Sequence, residues 1–158
     1  MAIQLDIPCH VISLDSVGQG TMFVCRNGDV YAKGWNSGGN LAMGGIKKVE
    51  KITRNDHLKR IVKITGGGPR IGMTTDGKFY GWGDQRRSRR AEWWANSGFV
   101  RSPISMDAPK GAMTVFSYST SVFFLLRDGR AAELIPEKSW FFNYEDTFKD
   151  YHFRYYSY

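Results

Sequence analysis

Two cysteines, five prolines and three histidines are all that 158 residues hold of three telling residue types. Cys9 and Cys25 form no CxxC pair, so a zinc ribbon or a thioredoxin-like redox motif is excluded. Buried free thiols are the expectation, because an unpaired cysteine packs as a small core residue; one disulfide is the alternative. His10, His57 and His152 stand apart from other ligating side chains at metal-binding spacing, except that His10 adjoins Cys9. GxSxG and HExxH are both absent. No catalytic residue, metal, cofactor or small-molecule substrate is therefore expected, and the chain reads as a non-enzyme. Long hydrophobic runs are missing too. The longest, Val122 to Leu126, is far short of the roughly 20 residues of a spanning helix, so no membrane partner is expected. Residues Met1 to Leu14 lack the basic start and apolar centre of a signal peptide. The expected location is cytoplasmic or nuclear, or inside a particle assembled in the cell. No long amphipathic helix is visible; residues 86–96 and 140–150 offer a helical turn each at most.

Aromatics and glycines are plentiful, at 15% aromatic residues and 18 glycines. Together they fit short strands joined by tight turns. Hydrophobic residues at 42% and charged residues at 23% fit one packed domain over 1–158. Three segments repeat one pattern. Phe23 to Tyr31, Gly72 to Tyr80 and Phe124 to Ala132 each run from apolar residues through Asn-Gly or Asp-Gly into a second apolar or aromatic run. Each reads as a β-hairpin, with Gly28, Gly77 and Gly129 in turns of type I′, where both central residues need positive φ. A further strand precedes each hairpin, at His10 to Leu14, Arg60 to Thr65 and Ala112 to Ser117. The repeats fall at approximately 10–50, 58–100 and 111–158, and their spacing is blade-sized. Gly66-Gly67-Gly68-Pro69 and Gly38-Gly39 lack the ending of a phosphate loop and read as blade turns.

The stretch Asn27-Gly28-Asp29-Val30-Tyr31-Ala32-Lys33-Gly34-Trp35-Asn36 continues without a gap to Gly44, and Asp76-Gly77-Lys78-Phe79-Tyr80-Gly81-Trp82-Gly83 follows the same order. Both resemble the regulator-of-chromosome-condensation (RCC1-like) repeat, whose blade runs Asp-Gly-x-Val-Tyr-x-Trp-Gly-x-Asn. Lys33 stands where that family has tryptophan, Asn40 where it has glutamine and Ala42 where it has glycine. The third repeat keeps little beyond Asp128-Gly129 and its apolar run. A kelch-type blade has similar length and paired glycines, but the order Asp-Gly, Val/Phe-Tyr, Gly favours the first family. The resemblance implies an all-β chain, a partial β-propeller of about three blades of antiparallel strands. Complete members have seven blades, and the nucleotide exchange known for the family belongs to a complete ring, so it is not carried over.

A partial propeller leaves sheet faces and edges uncovered. Self-association or a protein partner is therefore expected to complete it, and a macromolecular interaction or scaffold role follows. Two clusters are candidate contact sites. Residues 47–110 hold 15 Lys/Arg against 6 Asp/Glu. Within them Arg86, Arg87, Arg89, Arg90, Trp93 and Trp94 combine forked phosphate donors with stacking faces, which suits nucleic acid or an acidic partner. A solvated rim loop is the plainer alternative. From Trp140 to Tyr158, 10 of 19 residues are aromatic. Trp140, Phe141, Phe142, Tyr151, Phe153, Tyr155 and Tyr156 are the expected assembly interface, with a last strand closing onto its own core as the alternative. A nucleic-acid or chromatin-binding protein and a structural subunit of a virion or other multi-subunit particle are the alternative functions.

Overall fold

The computed structural model describes residues 4–17, 19–66, 70–84, 99–118, 121–136 and 151–157. Among them lie twelve strands in three four-stranded antiparallel sheets, each a meander in chain order. The first blade comprises β1 (Val11–Val17), β2 (Gly20–Cys25), β3 (Val30–Trp35) and β4 (Lys48–Arg54). The second comprises β5 (Ile61–Thr65), β6 (Arg70–Thr74), β7 (Phe79–Asp84) and β8 (Phe99–Met106). The third comprises β9 (Ala112–Tyr118), β10 (Ser121–Leu126), β11 (Ala131–Pro136) and β12 (Tyr151–Tyr156). A short 3-10 turn at Ser37–Gly39 is the one helical element among the described residues. β1, β5 and β9 lie side by side, so the first strand of each blade is innermost.

The three hairpins form where Asn-Gly and Asp-Gly predict them, but with a different turn. Gly28, Gly77 and Gly129 have φ of 87°, 75° and 85°, whereas Asn27, Asp76 and Asp128 are not left-handed. The amide of Gly28 donates to the Cys25 carbonyl (2.9 Å), and the Cys25 amide to that of Asp29 (2.9 Å). The same pair of bonds recurs around Gly77 and Gly129. Each is a type I turn followed by a left-handed glycine bulge, which needs one positive φ and not two. The Asn or Asp side chain instead serves as an acceptor. Asn27 Oδ1 takes the Asp29 amide at 3.1 Å, and Asp128 Oδ1 the Arg130 amide at 3.0 Å. A shift of register also recurs near the start of every blade, at Ile12, Val62 and Met113. Bulges of this kind turn a strand at a fixed place, and their repetition marks one structural unit used three times.

Cys9 and Cys25 are joined as a disulfide, which corrects the expectation of free thiols. The chain before β1 runs back beside β2, where the Arg26 amide donates to the His10 carbonyl (2.9 Å), and so brings the two sulfurs together. Such bonds persist in oxidising surroundings and are rare in reduced cytosol. No helix among the described residues is long and apolar enough to cross a membrane.

Candidate interaction surface

Strand alternation gives every blade two faces, one toward the blade before it and one toward the blade after it. We call these the leading and trailing faces. The trailing face of blade 1 carries Asp15, Met22, Val24, Val30 and Ala32; Asp15 lies opposite Met22, and Val24 opposite Val30. It meets the leading face of blade 2, where Arg70 and Trp82 lie opposite each other. Both are completely buried. Arg70 ion-pairs with Asp15, and Trp82 Nε1 donates to the Asn40 carbonyl at 3.2 Å. Burial pushes the Arg70 guanidinium down to about 10, so it remains cationic at neutral pH and needs the Asp15 carboxylate beside it.

Two buried asparagines shape the loop that supplies Asn40. Asn36 donates to the Gly44 and Ile46 carbonyls and accepts the Leu41 amide at 2.8 Å. Asn55 donates to the Leu41 and Ala42 carbonyls and accepts the amides of His57 and Leu58. The loop can lie buried only because these side chains satisfy its backbone. It delivers Leu41, Ala42 and Met43 into the core.

The second junction repeats the arrangement. Ile71, Met73 and Phe79 on the trailing face of blade 2 meet Val122, Phe124 and Leu126 on the leading face of blade 3. Phe79 and Phe124 pack edge to face with centroids 5.2 Å apart. At the inner strands Lys63 Nζ donates to Thr114 Oγ1 at 2.9 Å and lies 4.0 Å from the Phe116 ring centre. Partial burial pushes the Lys63 ammonium below the ordinary lysine value.

The trailing face of blade 3 has no blade after it among the described residues. Phe116 and Glu133 lie opposite Phe123, and Leu125 lies opposite Ala131, which in turn lies opposite Tyr156. Phe116 is 55% exposed, and Phe123, Leu125 and Tyr156 are exposed as well. Tyr156 donates its hydroxyl to Glu133 Oε2 at 2.6 Å, and the rings of Phe123 and Tyr156 lie 6.4 Å apart. The result is a largely aromatic sheet face in which Glu133 and Arg154 lie opposite each other.

The expected assembly residues therefore divide. Tyr151 and Phe153 turn inward: Phe153 packs on Phe124 (5.7 Å) and the Tyr151 hydroxyl donates to the Asp107 carbonyl (2.9 Å). Tyr155 and Tyr156 face solvent, Tyr155 with Arg130 against its ring. Trp140, Phe141 and Phe142 lie outside the described residues, as do Arg86, Arg87, Arg89, Arg90, Trp93 and Trp94. Phe123 and Leu125 do not stand out in the sequence, because an unbroken apolar run reads as a strand buried on both faces. Their repeat positions, matched from the turn glycines, were the available signal. Among the described residues, no group of three or more His, Cys, Asp or Glu is placed to hold a metal ion.

No family model matches the chain. Over 93 residues it is 30% identical to the E3 ubiquitin-protein ligase HERC2 of Homo sapiens, and equally to that of Mus musculus. The match takes in 52% of this chain but spans only 2% of the length of those relatives. Among solved structures, human WBSCR16 superposes with a TM-score of 0.66 at 18% identity, over 82% of this chain and 34% of that one. Yeast RCC1 (Prp20), in its structure with Kap60, gives 0.66 at 16% identity, over 94% and 37%. A second structure, of Prp20p from Saccharomyces cerevisiae, gives 0.66 at 14% identity, over 95% and 39%. Identities this low speak for the fold alone. Glycine-bulge hairpins, recurring first-strand bulges and paired blade faces agree with that fold, and the chain is built of RCC1-like repeats, three four-stranded blades of a partial β-propeller.

Proposed function

We propose that this chain is a non-enzymatic interaction module, a propeller arc whose last blade offers its trailing face to another macromolecule. One observation carries the reading: the face holding Phe116, Phe123, Leu125 and Tyr156 is contiguous and mostly apolar, and no blade follows it among the described residues. Aromatic faces of this kind mark contact surfaces. Yeast RCC1 has been crystallised with Kap60, and Prp20p has been studied for its binding to Gsp1p and histones. Those partners belong to those proteins; for this chain they support only the general role of an arc that binds protein. A scaffold or particle subunit is that role in multi-copy form. A second reading, contact with nucleic acid or an acidic partner, rests on the excess of Lys/Arg in residues 47–110 and on the Arg86 to Trp94 cluster.

Affinity isolation from the source cells, with the unmodified chain beside Phe123→Glu, tests the first reading. A stoichiometric partner, either a second copy or another protein, is expected with the unmodified chain and lost at least about 10-fold with the variant, since a buried anchor carries over 1 kcal/mol. Equal recovery by both, or no partner with either, contradicts it.

A further inference from the structure

We propose that the cleft between the turn of blade 2 and the linker to blade 3 binds a short peptide segment of a partner protein, one that carries a basic residue beside an apolar one. The cleft is separate from the trailing face of blade 3, and the proposal does not rest on that face.

The two linkers between blades match residue for residue but follow different paths. Arg60 ends the first and Gly111 the second, each with left-handed φ, at 58° and 84°. The Arg60 carbonyl accepts the Thr75 amide (2.8 Å) and the Gly111 carbonyl the Arg127 amide (2.9 Å), each just before the turn glycine of the following blade. Residues 55–60 and 106–111 are therefore equivalent. The first linker closes on the turn before it. Ile61 donates its amide to the Gly28 carbonyl at 3.0 Å, and a Cβ at Gly28 would lie 2.7 Å from Arg60 Cα. Asn55 supports this path, because its Oδ1 accepts the amides of His57 and Leu58. Its counterpart Met106 has no such oxygen to offer. The second linker stays away from Gly77, where a Cβ would meet nothing within 4 Å. Ala112, the smaller counterpart of Ile61, donates to the Pro109 carbonyl instead (3.0 Å). Tyr151 holds this path from blade 3, with its hydroxyl on the Asp107 carbonyl at 2.9 Å.

The space left is a cleft of about 420 Å³ whose walls include Lys78, Phe79, Ser105, Met106, Asp107 and Pro109. That volume lies near the lower end for ligand sites and suits a few residues of a peptide. Phe79, Met106 and Pro109 are buried and form an apolar floor, while Lys78, Ser105 and Asp107 are exposed at the mouth. Three things that the first junction has are missing here. No backbone amide among the described residues donates to the Gly77 carbonyl, whereas Gly28 has that of Ile61. The volume of the isoleucine side chain is lost at Ala112. Asp107 has no ion-pair partner among the described residues, whereas Lys78 already lies 3.7 Å from Asp76. In the first junction Arg60 and Ile61 of the chain's own linker occupy the matching place. A partner segment with the same pairing of a basic and an apolar residue supplies the amide, the apolar volume and the cation together. Because the missing donor is a backbone N–H, the occupant is a peptide and not a small metabolite.

The test is titration of the isotope-labelled full chain with a capped peptide of residues 55–62, the segment that occupies the matching place in the first junction. Amide resonances report where it binds. Saturable shifts at Gly77, Lys78 and Asp107 are expected, with a Kd below about 1 mM. Ser105→Trp, which fills the mouth of the cleft, and Asp107→Lys, which reverses its charge, should each weaken binding about 10-fold. Both changed residues are exposed, so amide resonances away from the cleft should match those of the unmodified chain. The same peptide with Arg60→Glu and Ile61→Ser should also bind about 10-fold more weakly. Phe123→Glu in the full chain should leave binding unchanged. Absence of shifts up to about 1 mM peptide overturns the proposal. So does binding that neither Ser105→Trp nor Asp107→Lys weakens. Loss of binding with Phe123→Glu places the peptide on the trailing face of blade 3, which overturns the cleft and leaves the interaction-module reading standing.

Discussion

Asp15→Asn is expected to destabilise the fold by about 3–5 kcal/mol, the cost of leaving one member of a buried ion pair without the other. Arg70 is completely buried and has Asp15 beside it across the first junction, with the Gly66 carbonyl as a weaker acceptor at 3.3 Å. Asparagine keeps the size and removes the charge, so the guanidinium remains buried with no anion. The double variant Asp15→Asn/Arg70→Met should recover most of the loss, because an apolar pair need not be desolvated as ions are. The loss in Asp15→Asn should also shrink as pH rises past about 10. Burial holds the folded-state value of Arg70 below that of the unfolded chain, so the unfolded chain binds more protons there and stability rises with pH. Urea unfolding at pH 7 and at about pH 11 checks both statements. A change below 1 kcal/mol at pH 7 would show that Asp15 does not balance Arg70.

Trp82→Ala is expected to cost about 3–5 kcal/mol, in the range for removing a large buried aromatic side chain. The indole is completely buried, donates to the Asn40 carbonyl and fills the space beside Gly72. A Cβ at Gly72 would lie 2.9 Å from the indole ring, so the glycine leaves room for the tryptophan. Trp82 and Arg70 lie opposite each other on β6 and β7. The effects of Asp15→Asn and Trp82→Ala should therefore couple, and the double variant should lose less than the sum. Thermal unfolding of the two single variants and the double variant measures that coupling. Strict additivity would mean that the ion pair and the indole support the junction separately.

The sequence made the hairpins legible because Asn-Gly and Asp-Gly are strong local signals that need no distant partner. It misled on turn geometry for the same local reason. Asn and Asp tolerate left-handed φ, yet here their side chains accept backbone amides and leave the positive φ to glycine alone. Outer strands were harder to see. β4 reads Lys-Val-Glu-Lys-Ile-Thr-Arg, largely charged because it borders solvent, and β8 contains Pro103. The disulfide was open because spacing alone does not show the chain before β1 doubling back along β2. The Asp15–Arg70 pair joins distant parts of the chain, and neither residue stands out locally. The candidate surface was hidden by its own composition. Val122, Phe124 and Leu126 face the core while Phe123 and Leu125 face solvent, and an apolar residue at every position gives no alternation to separate the faces. Only matching the three repeats position by position shows that Phe123 and Leu125 are exposed where Met22, Val24 and Ile71 are buried.

Hydroxyl-radical footprinting of the chain in its native complex, compared with the isolated chain at high dilution, tests most directly whether the trailing face of blade 3 is covered in the working state. Oxidation of Phe116, Phe123 and Tyr156 should fall severalfold in the complex, while exposed His57, on the rim loop of blade 1, should react equally in both. Equal oxidation of the three aromatics in complex and isolated chain would contradict the account, because the face argued to be built for a partner would then be bare where the protein works.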